Sequence, residues 1–337
     1  MILRSALRRA AKPLLASDAG WRAAAGLRRN PCVVLAYHRI SDRPTHFSHV
    51  PLRVFRAQME WIRRHCEVLS LDGLAPSARA RRDRPHVLIT FDDGYRDYFE
   101  LAYPLLKSLD IPAVTFLSTR FIDDGSLFWW DLLTLAVQAS RKSEVEIPWA
   151  PERRYRFDAA GRRTVRNLYS VRIAAAPHHT QDILLQEFAT TVGVDLGSLQ
   201  TSRQVMTWDE VRRSMDLTLY GGHTHTHVRV SCVDEETLDR EIATGRDRMH
   251  RETGLAPTCF AYPYGDGSAT ARRLLARHGF DTAFNIIDGY VTADSEWLDL
   301  HRFPAPASLK ELVWIVGGWA RQPLVETGAA GRDSARR

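Results

Sequence analysis

His86-Val87-Leu88-Ile89-Thr90-Phe91-Asp92-Asp93-Gly94 is the stretch that decides the fold. A run of β-formers ends in two adjacent carboxylates and a glycine. Adjacent carboxylates repel, and each raises the other's pKa. The repulsion is relieved if one carboxylate binds a cation while the other stays free to accept a proton. One metal ligand beside one base is what a metal-assisted hydrolase needs.

Outward from this strand the chain alternates strand and helix. Cys32 to Tyr37 is a continuous apolar run, as in a strand buried on both faces. Phe55, Met59 and Ile62 fall at helical spacing, Val68 to Leu71 reads as a short strand, and Ala113 to Leu117 as another. The rhythm returns with strand-like Leu217–Tyr220, a helix from about 234 to 252, strand-like Thr258–Tyr262, and a helix from about 269 to 278. Strand-like 282–284 and 297–300 follow. Such alternation implies parallel strands with helical crossovers, an α/β barrel or a related open sheet. A stretch from about 122 to 204 breaks the rhythm and reads as a helical insertion. Its Trp129 and Trp130 suit a core, a sugar-stacking platform or a membrane contact.

The flanks differ in character. Residues 1–30 alternate arginine with alanine and leucine and read as an amphipathic arm. The arm either packs on the domain or makes a peripheral membrane contact. Its longest apolar stretch, Pro13 to Ala16, is too short for a signal-peptide core, so a cytoplasmic location is expected. Residues 321–337 read as a disordered tail, leaving 31–320 as the domain. The 337 residues carry a net charge of +6, mostly arginine, with no nucleic-acid signature beside it. Cys32, Cys66, Cys232 and Cys259 form no C-x-x-C pair, which argues against a cysteine zinc site.

The second chemical cluster is His223-Thr224-His225-Thr226-His227, after Gly221-Gly222. His223 and His227 share a face in a helical turn, with His225 pointing elsewhere. Two neutral imidazoles and a carboxylate make a common metal set with an open position. Three weaker signals also sit at strand ends: His38 after Val33–Tyr37, His301 after Leu300, and the tight Tyr262-Pro263-Tyr264-Gly265 loop. In a parallel barrel such ends gather on one face.

Thr90-Phe91-Asp92-Asp93-Gly94 together with His223-Thr224-x-x-His227 resembles the polysaccharide deacetylase family, the carbohydrate esterases with a NodB homology domain. Tyr262-Pro263-Tyr264-Gly265 resembles the family's third motif, and the likeness runs over about 31–122 and 205–304. The resemblance implies a distorted (β/α)7-type barrel, hydrolysis of acetyl groups on amino-sugar polymers or glycolipids, and one divalent metal, usually zinc. It implies Asp92 as general base, Asp93, His223 and His227 as metal ligands, and the Tyr264 N–H as an oxyanion donor. The family's third motif usually begins with an arginine that orients the base, and Ala261 stands there instead. The usual last motif, Leu-x-His, is displaced by one in Leu298-Asp299-Leu300-His301. Val34-Leu35-Ala36-Tyr37-His38 resembles the branch that deacetylates poly-N-acetylglucosamine and other exopolysaccharides, which favours His38 over His301 as general acid. A small-amide or cyclic-imide hydrolase and a non-catalytic carbohydrate binder are the alternatives.

Overall fold

The structure is a computed structural model that describes residues 12–42, 49–80, 82–199 and 203–320. The first eleven residues of the arm and the expected tail at 321–337 lie outside the described residues.

The main sheet holds eight parallel strands: β1 Cys32–Tyr37, β2 Glu67–Val68, β3 His86–Phe91, β4 Ala113–Leu117, β5 Thr218–Gly222, β6 Cys259–Ala261, β7 Thr282–Phe284 and β8 Phe303–Pro304. They run in the order β7-β6-β5-β4-β3-β1-β8, with β2 beside the start of β3. Helices surround this open half-barrel. Both faces are buried, which is why the strands read as unbroken apolar runs. Val33, Leu35, Val87, Ile89 and Phe91 enter one cluster, while Val34, Leu88, Val114, Phe116 and Phe284 enter another.

Register places the chemistry. Tyr37 pairs with Phe91, so His38 and Asp92 leave adjacent strands at the same level. Leu117 pairs with Gly222, setting His223 one step beyond β5. All strands are parallel, so these residues emerge on one edge of the sheet.

Two strand expectations are corrected. The second strand stops at Val68 instead of continuing to Leu71. Residues 297–300 form a turn in which Leu300 makes a single bridge to Phe284. The last strand comes later, at Phe303–Pro304, where Leu35 of β1 supplies a free edge.

Past the helix Thr119–Asp124, the insertion has its own small core. Leu133, Ile147, Tyr155, Val165, Tyr169 and Phe188 join the helices Trp129–Ala139, Ala159–Ala175 and His178–Val192 to an antiparallel hairpin, Glu144–Ile147 with Ala150–Arg156. The helix Trp129–Ala139 ties the two bodies together: Trp130 packs in the barrel's core and Leu133 in that of the insertion. In the described part of the arm, Ser17 caps the helix Asp18–Ala23. Trp21 is buried edge-on to Trp61 at 4.8 Å, with Trp319 at 6.1 Å, so the arm's largest apolar group points inward. No helix among the described residues is long and apolar enough to cross a membrane.

Candidate active site

Asp93 follows β3 with φ of 74°, a left-handed conformation that an aspartate adopts at some cost. Gly94 continues the turn at φ 74°, and a Cβ there would press on Leu117 and Ile122 at 2.7 and 2.9 Å. The turn aims the Asp93 carboxylate back at the strand ends. Its Oδ1 is buried, makes no hydrogen bond, and lies 3.5 Å from His223 Nε2 and 3.3 Å from His227 Nε2. Among the described residues, this trio alone gathers three metal-binding side chains, with donor atoms all within 4.8 Å of one another.

The histidines converge differently from the helical turn that their spacing suggested. Residues 223–229 form an irregular loop. Thr224 at φ 58° and His227 at φ 59° fold it so that both rings face Asp93. Glu241, on the helix Glu235–Thr253, holds the loop by accepting from the backbone N–H groups of His225 and Thr226, at 2.9 and 2.7 Å, and from the Thr226 hydroxyl. His223 Nδ1–H donates to the Ala261 carbonyl at 2.7 Å, which leaves the Nε2 lone pair facing Asp93. His225 turns to Thr119 Oγ1 instead.

The charge states suit a cation. Burial pushes the Asp93 carboxyl up, but the two imidazoles outweigh it and hold the group well below the usual carboxylate range. Burial pushes His227 down, against the pull of Asp93, and so favours the neutral imidazole that ligates. A buried carboxylate oxygen with no hydrogen-bond donor, beside two imidazole nitrogens, is a donor set that fits a divalent ion.

Asp92 is managed separately. Arg302 grips both its oxygens, Nη1 to Oδ1 at 2.7 Å and Nη2 to Oδ2 at 2.8 Å, in a fork that is wholly buried. The same guanidinium donates to Thr90 Oγ1 and, through Nε, to the Asn285 carbonyl, and it lies beside the contacting rings of Phe116 and Phe284, at 5.6 and 5.8 Å. Burial raises the Asp92 pKa, but the charge and hydrogen bonds of Arg302, helped by His38 and His223, leave it lowered overall. His38 Nε2 stands 3.8 Å from Asp92 Oδ2. His301 packs against Gly289 and does not line the cleft.

The cleft above these groups has a volume of about 310 Å³. His38, Asp92, Asp93, His223 and His227 form its polar floor, and Trp130, Tyr262, Tyr264, Ile286 and Pro304 its apolar walls. Tyr264, at φ 60°, sits in the Pro263–Gly265 turn with its ring 5.0 Å from that of His227. Its hydroxyl accepts from Trp129 Nε1 at 3.1 Å. Trp130 reaches inward to donate to the Tyr95 hydroxyl. The insertion therefore supplies part of the wall.

A sequence profile of the polysaccharide deacetylase family matches residues 79–146 and 197–283, on both sides of the insertion. The chain carries a polysaccharide deacetylase domain. The deacetylase domain is 21% identical over 269 residues to the poly-β-1,6-N-acetyl-D-glucosamine N-deacetylase of Escherichia coli K12, covering 78% of this chain and 35% of the relative. The chain thus spans about a third of the length of the curated relatives it matches. In fold it is similar to the Streptococcus pyogenes deacetylase PplD, with a TM-score of 0.58 at 15% identity, covering 85% of this chain and 98% of that one. It is also similar to IcaB from Ammonifex degensii, with a TM-score of 0.57 at 17% identity, covering 87% and 97%.

The structure brings together Asp92, Asp93, His223, His227, His38 and Tyr264, and leaves His301 outside. Sequence reasoning missed Arg302, Glu241 and Arg229. Arg302 left a faint trace, an arginine directly before the apolar pair Phe303-Pro304. Glu241 and Arg229 left none, because their roles depend on tertiary placement.

Proposed function

We propose that this chain is a metal-dependent hydrolase that removes N-acetyl groups from amino sugars of a polysaccharide or glycolipid. The observation that carries the reading is the pairing of an open Asp93/His223/His227 set with a separate carboxylate, Asp92, clamped by Arg302 and 3.8 Å from His38. A binder needs the first set alone. The name of the Escherichia coli relative points to N-acetylglucosamine as the kind of sugar.

Asp93, His223 and His227 would hold one divalent ion, zinc being the usual choice for two imidazoles and a carboxylate. When bound, the ion supplies Lewis acidity, lowering the pKa of water and polarising the acetyl carbonyl. Asp92 takes a proton from the attacking water, and its lowered pKa keeps it ionised and ready. The water oxygen bonds to the acetyl carbon, and the Tyr264 N–H helps hold the charge that builds on the carbonyl oxygen. His38 then gives its proton to the nitrogen as the C–N bond breaks, so acetate and a free amine leave. Arg302 fixes the Asp92 carboxylate in one orientation throughout. Trp130 and Tyr264 give the cleft an apolar wall against which the ring of an acetamido sugar would pack.

The test is acetate release from N-acetylhexosamine oligomers, set against small acetamides and cyclic imides, with and without chelator. Chelator-sensitive release from the oligomers is expected. Turnover of the small amides alone would replace this reading, and metal content without turnover of any substrate would leave a binder.

A further inference from the structure

Arg229 sits two residues beyond His227, half-buried, and lines the cleft beside the polar floor. Its guanidinium lies over the Tyr264 ring at 4.4 Å. Its Nε is buried with no hydrogen-bond partner. Among the described residues no carboxylate pairs with it, although surface arginines of this chain such as Arg240, Arg273 and Arg277 each find one.

The acids of the cleft are already engaged. Asp92 has both oxygens taken by the Arg302 fork, and Asp93 faces its two histidines. Asp266, nearby in sequence to the Tyr264 turn, accepts from the Ser231 backbone and hydroxyl. With a divalent ion on Asp93 and Arg302 on Asp92, the positive charge of Arg229 is left over at the wall of a cavity with apolar sides. Holding an uncompensated guanidinium half out of water is costly, and a stacked guanidinium with free N–H groups recognises phosphate or carboxylate well.

We infer that Arg229 is a specificity-determining residue that reads a negative charge carried by the substrate next to the acetamido sugar. The preferred substrate is then an acidic N-acetylhexosamine conjugate rather than a neutral homopolymer. The inference rests on the deacetylase reading above and narrows its substrate class. The shared chemistry is an anionic oxygen cluster, either a phosphate on the sugar or the carboxylate of a neighbouring uronic acid.

The experiment compares kcat/KM for acetate release by the zinc-loaded full chain on three probes: N,N′,N″-triacetylchitotriose, N-acetylglucosamine 1-phosphate, and a glucuronyl-N-acetylglucosamine disaccharide. At least one acidic probe is expected to exceed the neutral trimer tenfold or more, and the better of the two identifies the source of the charge. In Arg229→Gln the acidic-to-neutral ratio should fall at least tenfold, with Arg229→Lys retaining part of it. In the unaltered protein the ratio should shrink as sodium chloride is raised, which tests the charge without any variant. Equal turnover of neutral and acidic probes, a salt-independent ratio, or a uniform loss in Arg229→Gln would overturn the inference while leaving the deacetylase reading intact. Uniform loss would make Arg229 a prop for Tyr264. Release of acetate from none of the probes would instead remove the deacetylase reading itself.

Discussion

Arg302 closes on both oxygens of Asp92 across 210 residues of sequence, the guanidinium fully enclosed and the carboxylate on the floor of the cleft. This pair supplies what Ala261 cannot at the family's usual arginine position. The backbone at Ala261 is still engaged, since its carbonyl fixes the His223 tautomer. The support for Asp92 thus comes from a different strand, and the β6 end orients His223 instead.

Breaking a buried ion pair strands a charge. Arg302→Met should cost roughly 3–5 kcal/mol of stability, read from denaturant midpoints. Asp92→Asn/Arg302→Met should lose clearly less than the sum of the single changes. Additive losses would mean that the fork contributes no coupling.

Metal removal is the second test. A chelator should lower Tm and abolish hydrolysis, and added zinc should restore both. Asp93→Ala, His223→Ala and His227→Ala should each lose the bound ion by elemental analysis, whereas Asp92→Asn should keep it but lose turnover. Retention of stoichiometric metal in His223→Ala would displace that ligand from the assignment.

Glu241 touches no cleft atom but pins the histidine loop in its left-handed turns. Glu241→Ala should weaken metal affinity by about 10- to 100-fold in a competition titration with a chromophoric chelator. Glu241→Gln keeps an oxygen for the two backbone donors and should recover most of the affinity. Equal losses in both variants would point to the charge rather than to the loop geometry.

Asp131 provides a pH test away from the cleft floor. Burial pushes its carboxyl up to about 6, against the opposing pull of Arg39 and the Tyr95 hydroxyl. A folded-state pKa above the unfolded value favours the folded protein when the group is protonated. That stability is fully present below about pH 4 and is lost as pH rises towards 6. Asp131→Asn keeps an acceptor for Tyr95 and removes the titration. It should gain roughly 1–3 kcal/mol on the parent between pH 4.5 and 7.5. Parallel stability curves would show that Asp131 titrates as it does in the unfolded chain.

Much of the site could be read from the sequence, because strand-end residues in a parallel sheet converge whatever the loops do. β1 and β3 were legible as apolar runs, and the register of Tyr37 with Phe91 then brings His38 to Asp92. The final strand was misplaced because it has only two residues and its partner, Leu35 in the neighbouring β1, lies at the other end of the sequence. That error hid Arg302, whose role depends on where β8 begins. The His223/His227 pair was found by its spacing, although the geometry is a strained loop. Nothing local at Glu241 marks it as the residue that holds that loop, because its contacts lie 15 and 16 positions away.

The distance in sequence between Asp92 and Arg302 has a consequence for the growing chain. The carboxylate leaves the ribosome about 200 residues ahead of its counter-cation. Until then a carboxyl enclosed by the early strands has every reason to stay protonated, and a protonated base is inert. A product ending between the strand Thr282–Phe284 and Arg302 would hold seven of the eight strands and the trio at Asp93, yet lack the cation that keeps Asp92 ionised.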